Sequence, residues 1–243
     1  MSDAALRTIV FIFARGGSKG VPRKNVRLLD GKPLIAHSIE TGFATPGVET
    51  VIVSTDDEEI SSIARAYGAE VPFLRPAELA RDDSPEWLAW RHAVSWFKEE
   101  RGPFDCFVSL PATSPFRAVE DVVACIDRIQ HDPATDAVIT VTEASRNPYF
   151  NMVRLDGEQR ADIVIPSDGA IVRRQDVPPV YDMTTVAYAV RPRFILTAER
   201  LFAGQVSAVK VPVERAADID TEFDFRLAEA VATIRRDVGR NAP

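Results

Sequence analysis

Between Ala14 and Asn25 the chain reads A-R-G-G-S-K-G-V-P-R-K-N, a stretch built to meet an anion. Arg15, Lys19, Arg23, Lys24 and Arg27 supply five positive charges, and no acid falls among them before Asp30. Gly16, Gly17 and Gly20 let backbone N–H groups approach a ligand closely. The whole chain has 29 basic and 36 acidic residues, a net charge of −7. An anionic ligand must therefore be met by such a local cluster, not by the overall field. A triphosphate is the natural candidate. No Gly-Lys-Ser/Thr follows a glycine at Walker A spacing, and the G-x-G-x-x-G order of a dinucleotide fingerprint is absent. The plainer alternative is a solvated basic loop.

Asp218-Ile219-Asp220-Thr221-Glu222 is the second stretch that could do chemistry. If 218–220 is extended, both aspartates project to one face, because side chains alternate along a strand. Two such carboxylates suit Mg²⁺ held partly by substrate phosphates. The alternative is that they only decorate a helix start, where negative charge is favourable. Thr221 with Asp224 resembles a capping box for that helix. Thr113-Ser114-Pro115-Phe116-Arg117 follows a strand end, and either touches a ligand or caps the next helix. Thr55-Asp56-Asp57-Glu58-Glu59 reads as a helix start with Thr55 or Asp56 as cap, and Asp82 and Asp83 read as loop residues. His37, His92 and His131 have no ligand spacing, and Trp87, Trp90 and Trp96 read as core.

The elements that must position these groups alternate. Residues 8–13 form an apolar, β-branched run with no charge, expected as a buried parallel strand ahead of the basic loop. Helices are expected at 33–45, from about 57 to Tyr67, at 85–100, 119–130, 192–202 and 222–238. Leu88, Val94 and Phe97 are expected on the buried side of the 85–100 helix. Strands are expected at 51–53, 105–110, 136–142, 185–190 and 206–212. This order predicts an α/β three-layer sandwich with a mostly parallel, Rossmann-like sheet. Ligands bind outside the carboxyl ends of the strands in such sheets, where the basic loop falls. The rhythm breaks between about 144 and 182, where Pro148, Pro166, Pro178 and Pro179 surround short apolar pieces. That segment reads as an inserted β-rich arm within a single domain spanning 1–243.

With 243 residues, 46% of them hydrophobic, the chain can bury a sizeable core. Its acidic balance argues against a nucleic-acid partner. Cys106 and Cys125 give neither a disulfide framework nor a zinc spacing. No stretch approaches the ~20 apolar residues of a membrane helix, and no targeting segment is visible, so a cytoplasmic protein with no membrane partner is expected.

Taken together, the motifs resemble the acylneuraminate cytidylyltransferase family, the CMP-sialic acid synthetases. The resemblance is carried by the 14–25 loop, V-S-T-D at 53–56, R-P-A-E-L-A at 75–80, T-S-P-F-R at 113–117 and D-I-D-T-E-F-D at 218–224. It implies a nucleotidyltransferase that uses CTP with Mg²⁺. The anomeric hydroxyl of a nonulosonic acid attacks the α-phosphate, pyrophosphate leaves and a CMP-sugar forms. By resemblance, Arg15 and Lys24 hold phosphates. Gly16, Gly17, Ser18, Lys19 and Asn25 complete the nucleotide loop, and Arg75 lies near the cytidine. Asp218 and Asp220 bind the metal. Thr113, Ser114, Arg117, Arg174, Gln175 and Tyr181 are the candidates for sugar contact, Arg174 for the carboxylate. The family also implies a homodimer, with the arm as interface and the partner subunit completing the sugar site. Pro111, Ala112, Phe150, Asp182 and Thr184 depart from the sialic-acid pattern, while Arg146 to Asn151, Arg174 to Asp176 and Tyr181 to Met183 look like the legionaminic-acid-type branch. The rival readings are a nucleotidylyltransferase using GTP or a sugar 1-phosphate, and a nucleotide-binding homologue without catalysis.

Overall fold

The computed structural model of the chain describes residues 6–166 and 176–240. The first strand, β1 (Thr8–Phe13), is buried along nearly its whole length. It lies between β4 (Val48–Ser54) and β5 (Cys106–Ser109), parallel to both. An uninterrupted apolar strand is what two covered faces require. Val10 and Ile12 pack on one side with α1 (Leu34–Ala44), α2 (Glu58–Ala66) and α4 (Val119–His131). Ile9 and Phe11 pack on the other with α3 (Glu86–Arg101) and α5 (Pro192–Thr197). The second side is aromatic: the Phe11 and Phe107 rings stack at 5.0 Å, and Trp90 meets Phe107 at 5.1 Å. Each such side chain fully removed from water contributes ~1.5–3 kcal/mol. The expected three-layer sandwich is therefore the fold of this chain.

Short β2 (Leu28–Leu29) and β3 (Lys32–Pro33) form a small antiparallel pair beside the basic loop. In the main sheet the strand order is β10-β6-β9-β5-β1-β4. Here β6 is Ala137–Glu143, β9 is Tyr181–Val190 and β10 is Val206–Lys210. β9 runs antiparallel to both β5 and β6, and it begins earlier than the expected 185. Its register against β6 jumps: Ile139 faces Tyr188, but Thr140 faces Thr184. Residues 185–187 therefore bulge from the ladder, and bulges re-aim side chains where they occur. Between β6 and β9, β7 (Val153–Leu155) pairs with β8 (Ala161–Ile163) in an exposed hairpin.

Some expectations need correction. The helix expected at 192–202 stops at Thr197, and a separate 3₁₀ turn covers Leu201–Ala203. Leu88 faces outward, because Trp87, Ala89, Trp90 and Ala93 fix the buried stripe of α3 one residue away from it. The cap of α2 is Asp57, whose carboxylate accepts from the Ile60 N–H at 2.9 Å; Thr55 instead takes the Asp57 N–H.

The last helix, α6 (Glu222–Arg240), seals a third cluster. Phe225, Ala228 and Ala232 pack with Val21 of the basic loop and with Ile219. One apolar plug thus anchors both chemistry-bearing stretches.

Candidate active site

A cleft of about 500 Å³ opens at the carboxyl ends of β1 and β5. From the basic loop it is lined by Arg15, Ser18, Lys19, Gly20, Lys24 and Asn25. The loop is shaped by its own bonds. The Gly16 N–H donates to Asp56 at 3.0 Å, and Asn25 donates to the Arg15 carbonyl at 3.0 Å. Gly16 and Gly20 are needed for packing within the protein. A Cβ at Gly16 would meet the Asp57 carboxylate, and one at Gly20 would collide with the Asp220 carbonyl oxygen. Gly17 has open space around it.

All five loop cations have acidic partners from distant segments. Arg23 pairs with Asp57 at 2.5 Å and with Glu59. Arg27 pairs with Glu222 at 2.6 Å and lies 3.9 Å over the Phe225 ring. These two arginines clamp the loop to α2 and α6 and do not line the cleft. Arg15 and Lys19 share Asp82, at 2.8 Å from Arg15. Lys24 donates to the Ile219 carbonyl at 2.5 Å and meets Asp220 at 3.3 Å. Arg15, Lys19 and Lys24 all line the cleft.

Asp218 and Asp220 line the same cleft, while Ile219 between them is 1% exposed. The alternation read from the sequence is realised, and the Ile219 N–H fixes it by donating to the Thr113 carbonyl at 2.9 Å. The helix-cap reading is also realised, but by other residues. The Thr221 N–H donates to Asp224 at 2.7 Å and the Asp224 N–H returns to Thr221 Oγ1 at 3.2 Å. Asp218 is thus not needed as a cap. The cleft walls push its carboxyl above the ordinary value, opposed by a Thr113 hydroxyl bond, and the nearby Asp220 charge raises it further. Such a pair of hard oxygen donors fits one divalent cation that keeps waters and phosphate oxygens as its remaining ligands. Among the described residues no three His, Cys, Asp or Glu side chains form a ready cage.

Thr113 lines the cleft, whereas Ser114 and Arg117 lie beneath it. Arg117 donates to the Val186 carbonyl at 2.6 Å, to Ser38 Oγ at 2.5 Å and to the Pro111 carbonyl. Burial lowers its guanidinium to about 9. Ser114 Oγ meets Thr185 Oγ1 at 2.7 Å. The T-S-P-F-R stretch therefore braces the β9 bulge, and the bulge brings Thr185 to the cleft beside Asp218. It does not supply the α4 cap, which is Ala118 with its N–H bonded to Asp121 at 2.9 Å.

Arg75 is buried in the cleft wall, tied to Ser54 Oγ at 3.1 Å through Nε, and burial lowers its guanidinium. Tyr181 stands elsewhere, at the start of β9, with Lys210 Nζ 4.4 Å from its ring centroid. Arg174 and Gln175 lie outside the described residues. Asp82, read from the sequence only as a loop residue, lines the cleft, and so do Glu86 and Tyr188, which no sequence signal marked. Glu86 opens α3 and accepts from Trp90 Nε1 at 3.2 Å; its surroundings raise its carboxyl, offset by that bond and by Arg75. Tyr188 is pushed up to about 12 by burial, with Glu86 and Asp218 adding to it. Trp87 and Trp90 are core, as expected, while Trp96 is only partly buried at the edge of the same cluster, and Trp90 also orients a cleft carboxylate.

The profile of a family described as Cytidylyltransferase matches residues 9–221. The chain is 34% identical over 219 residues to post-translational flagellin modification protein B of Campylobacter coli, covering 90% of this chain and 92% of that one. It is 32% identical over 225 residues to CMP-N,N'-diacetyllegionaminic acid synthase of Campylobacter jejuni, covering 92% and 94%. Among solved structures, CMP:2-keto-3-deoxy-manno-octonic acid synthetase complexed with CTP shares the fold, with a TM-score of 0.69 at 19% identity over 95% of this chain and 99% of that one.

Proposed function

We propose, from the premise that this chain belongs to the cytidylyltransferase family, that it transfers CMP from CTP to a nonulosonic acid of the legionaminic type and releases pyrophosphate. Membership makes it a nucleotidyltransferase. The sugar class draws on the relative that is a CMP-N,N'-diacetyllegionaminic acid synthase. The observation that carries the reading is the convergence of Arg15, Lys19 and Lys24 with Asp218 and Asp220 in one cleft.

In this reading the anomeric oxygen forms a bond to the α-phosphorus and loses its proton, and the α–β phosphoanhydride bond breaks. Such transfer needs positioning and charge neutralisation more than covalent help. Arg15, Lys19 and Lys24 would hold the triphosphate oxygens with charge-assisted bonds. Asp218 and Asp220 would hold Mg²⁺, which when bound neutralises phosphate charge. Arg75, held by Ser54, would face the nucleoside. Thr113 and Thr185 orient the Asp218 carboxylate, and Arg117 and Ser114 hold the bulge that carries Thr185.

The arm is proposed as the interface of a homodimer. Val153 and Leu155 on the hairpin are 54% and 57% exposed, and Met183 at the start of β9 is 52% exposed. A two-stranded hairpin is marginal alone, so these side chains call for a partner surface. Sedimentation showing an active monomer at micromolar concentration would contradict this. The proposed place of action is the cytoplasm. Buried Cys106, whose thiol burial pushes up to about 12, is then simply an unreactive core residue.

A nucleotide panel with Mg²⁺ and a nonulosonic acid, read by pyrophosphate release, tests the nucleotide. CTP is expected to outrun GTP, UTP and ATP by at least about tenfold, a gap of ~1.4 kcal/mol. Preference for GTP, or turnover only with a sugar 1-phosphate, would overturn the reading.

A further inference from the structure

Arg15 and Lys19 do not stand as bare cations. One carboxylate, Asp82, is shared between them, and all three side chains line the cleft. Asp82 belongs to the segment between the 3₁₀ turn at Ala77–Leu79 and α3, which also contributes Leu79, Arg81 and Ser84 to the cleft. Lys19 and then Arg15 hold its carboxyl below the ordinary range, so it is fully ionised at neutral pH. Glu100 carries the same charge and is exposed, but it stands in the last turn of α3, at the end of that helix opposite the cleft.

We infer that Asp82 is a built-in competitor for the phosphate positions of the nucleotide site. Its carboxylate occupies the anion position between Arg15 and Lys19, and a ligand enters only if it wins both cations from it. The inference rests on the reading of Arg15 and Lys19 as phosphate-holding groups. A single carboxylate bridging two solvent-accessible cations is weakly held. A polyphosphate, with more charge and more acceptor oxygens, replaces it readily. An uncharged nucleoside gains nothing by displacing it. The same competition acts on the leaving pyrophosphate, whose departure is eased when Asp82 returns to its two partners. Asp82 thus weakens every polyphosphate complex by a similar factor, product included, and leaves a ligand that does not touch the two cations unaffected.

The test is calorimetric titration of inorganic pyrophosphate, CTP and cytidine, without sugar, at one low ionic strength. The proteins are the parent, Asp82→Asn, Glu100→Gln and Arg15→Ala. Asp82→Asn is expected to bind pyrophosphate and CTP about three- to tenfold more tightly than the parent. Cytidine affinity should not change, and Glu100→Gln should stay within about twofold for all three ligands. Equal or weaker pyrophosphate binding by Asp82→Asn overturns the inference, as does an equal gain from Glu100→Gln. Failure of the underlying reading looks different: Arg15→Ala would then bind pyrophosphate as the parent does.

Discussion

Asp218→Asn separates the metal role of the 218–220 segment from a helix-start role. The start of α6 is capped by the reciprocal Thr221–Asp224 bonds, so removing the Asp218 charge leaves the cap in place. Asparagine keeps an oxygen that can accept from Thr113 and Thr185, the hydroxyls bonded to Asp218. The sign of the stability change follows from the raised carboxyl. A carboxyl whose folded pKa lies above its unfolded value contributes most below the unfolded value. That contribution is lost as pH rises through the window between the two, and the ionised group remains a constant cost above it. At pH 7 the substitution removes this cost. It also replaces charge-assisted hydroxyl bonds by neutral ones, each worth ~1 kcal/mol. At ~2–4 °C per kcal/mol for a chain of this size, the melting point should move by no more than about 4 °C, with a rise as readily as a fall. Turnover should fall by about 10²–10³-fold, the loss of one preorganised charge in a site. Raised Mg²⁺ should restore part of it. Asp220→Asn should behave alike, and the double variant should lose much less than the product of the two effects. Asp224→Ala should do the reverse, losing ~0.5–2 kcal/mol of stability while keeping its magnesium dependence. The assay is kcat against Mg²⁺ concentration beside a melting curve. A lower melting point for Asp218→Asn with unchanged kcat and magnesium dependence would refute the reasoning.

Arg15→Ala should lose ~1.5–3 kcal/mol in kcat/KM, about one to two decades, with its melting point unchanged. Steady-state kinetics on the folded variant check this. Gly20→Ala should destabilise by ~1–3 kcal/mol, because its Cβ would force the loop away from the Asp220 carbonyl and part Lys24 from the 218–220 segment. Melting curves and CTP titration should fall together. Asp57 is held below the ordinary carboxylate range, mainly by Arg23, so its contribution is present above the unfolded value and lost as pH falls through the folded one. The stability gap between the parent and Asp57→Asn, measured by melting from pH 6 to pH 2, should therefore close toward the acid end.

Much of the scaffold could be read from the chain because its cause is local. The apolar run at 8–13 admits only a strand covered on both faces, and both layers are found on it. The Asp-Ile-Asp alternation needs only that Ile219 be buried, which Val21 and Phe225 ensure. The partners of the loop cations were hidden because Asp57, Asp82, Asp220 and Glu222 reach them through the topology, not the spacing. A cluster that looks like five free charges in one dimension is largely neutralised in three. The role of Arg117 was hidden for the same reason: one carbonyl partner, Val186, lies on a bulge of β9 that no periodicity announces, and another, Pro111, follows β5. Leu88 was misplaced because one residue of helix phase, 100°, moves a side chain from core to solvent. Glu86 and Tyr188 come from opposite sides of the second core layer, and only the packing of α3 against β9 through Trp90 brings them together.

The central claim is that the cleft joins a cytidine nucleotide to a nonulosonic acid. Mass spectrometry of reactions with CTP, Mg²⁺ and a panel of sugar acids tests it most directly, with legionaminic-, pseudaminic- and sialic-type acids supplied separately. The account predicts a CMP-linked product, most abundant with the legionaminic type, with pyrophosphate formed in equal amount. CTP binding with no CMP-linked product from any acid in the panel would contradict it.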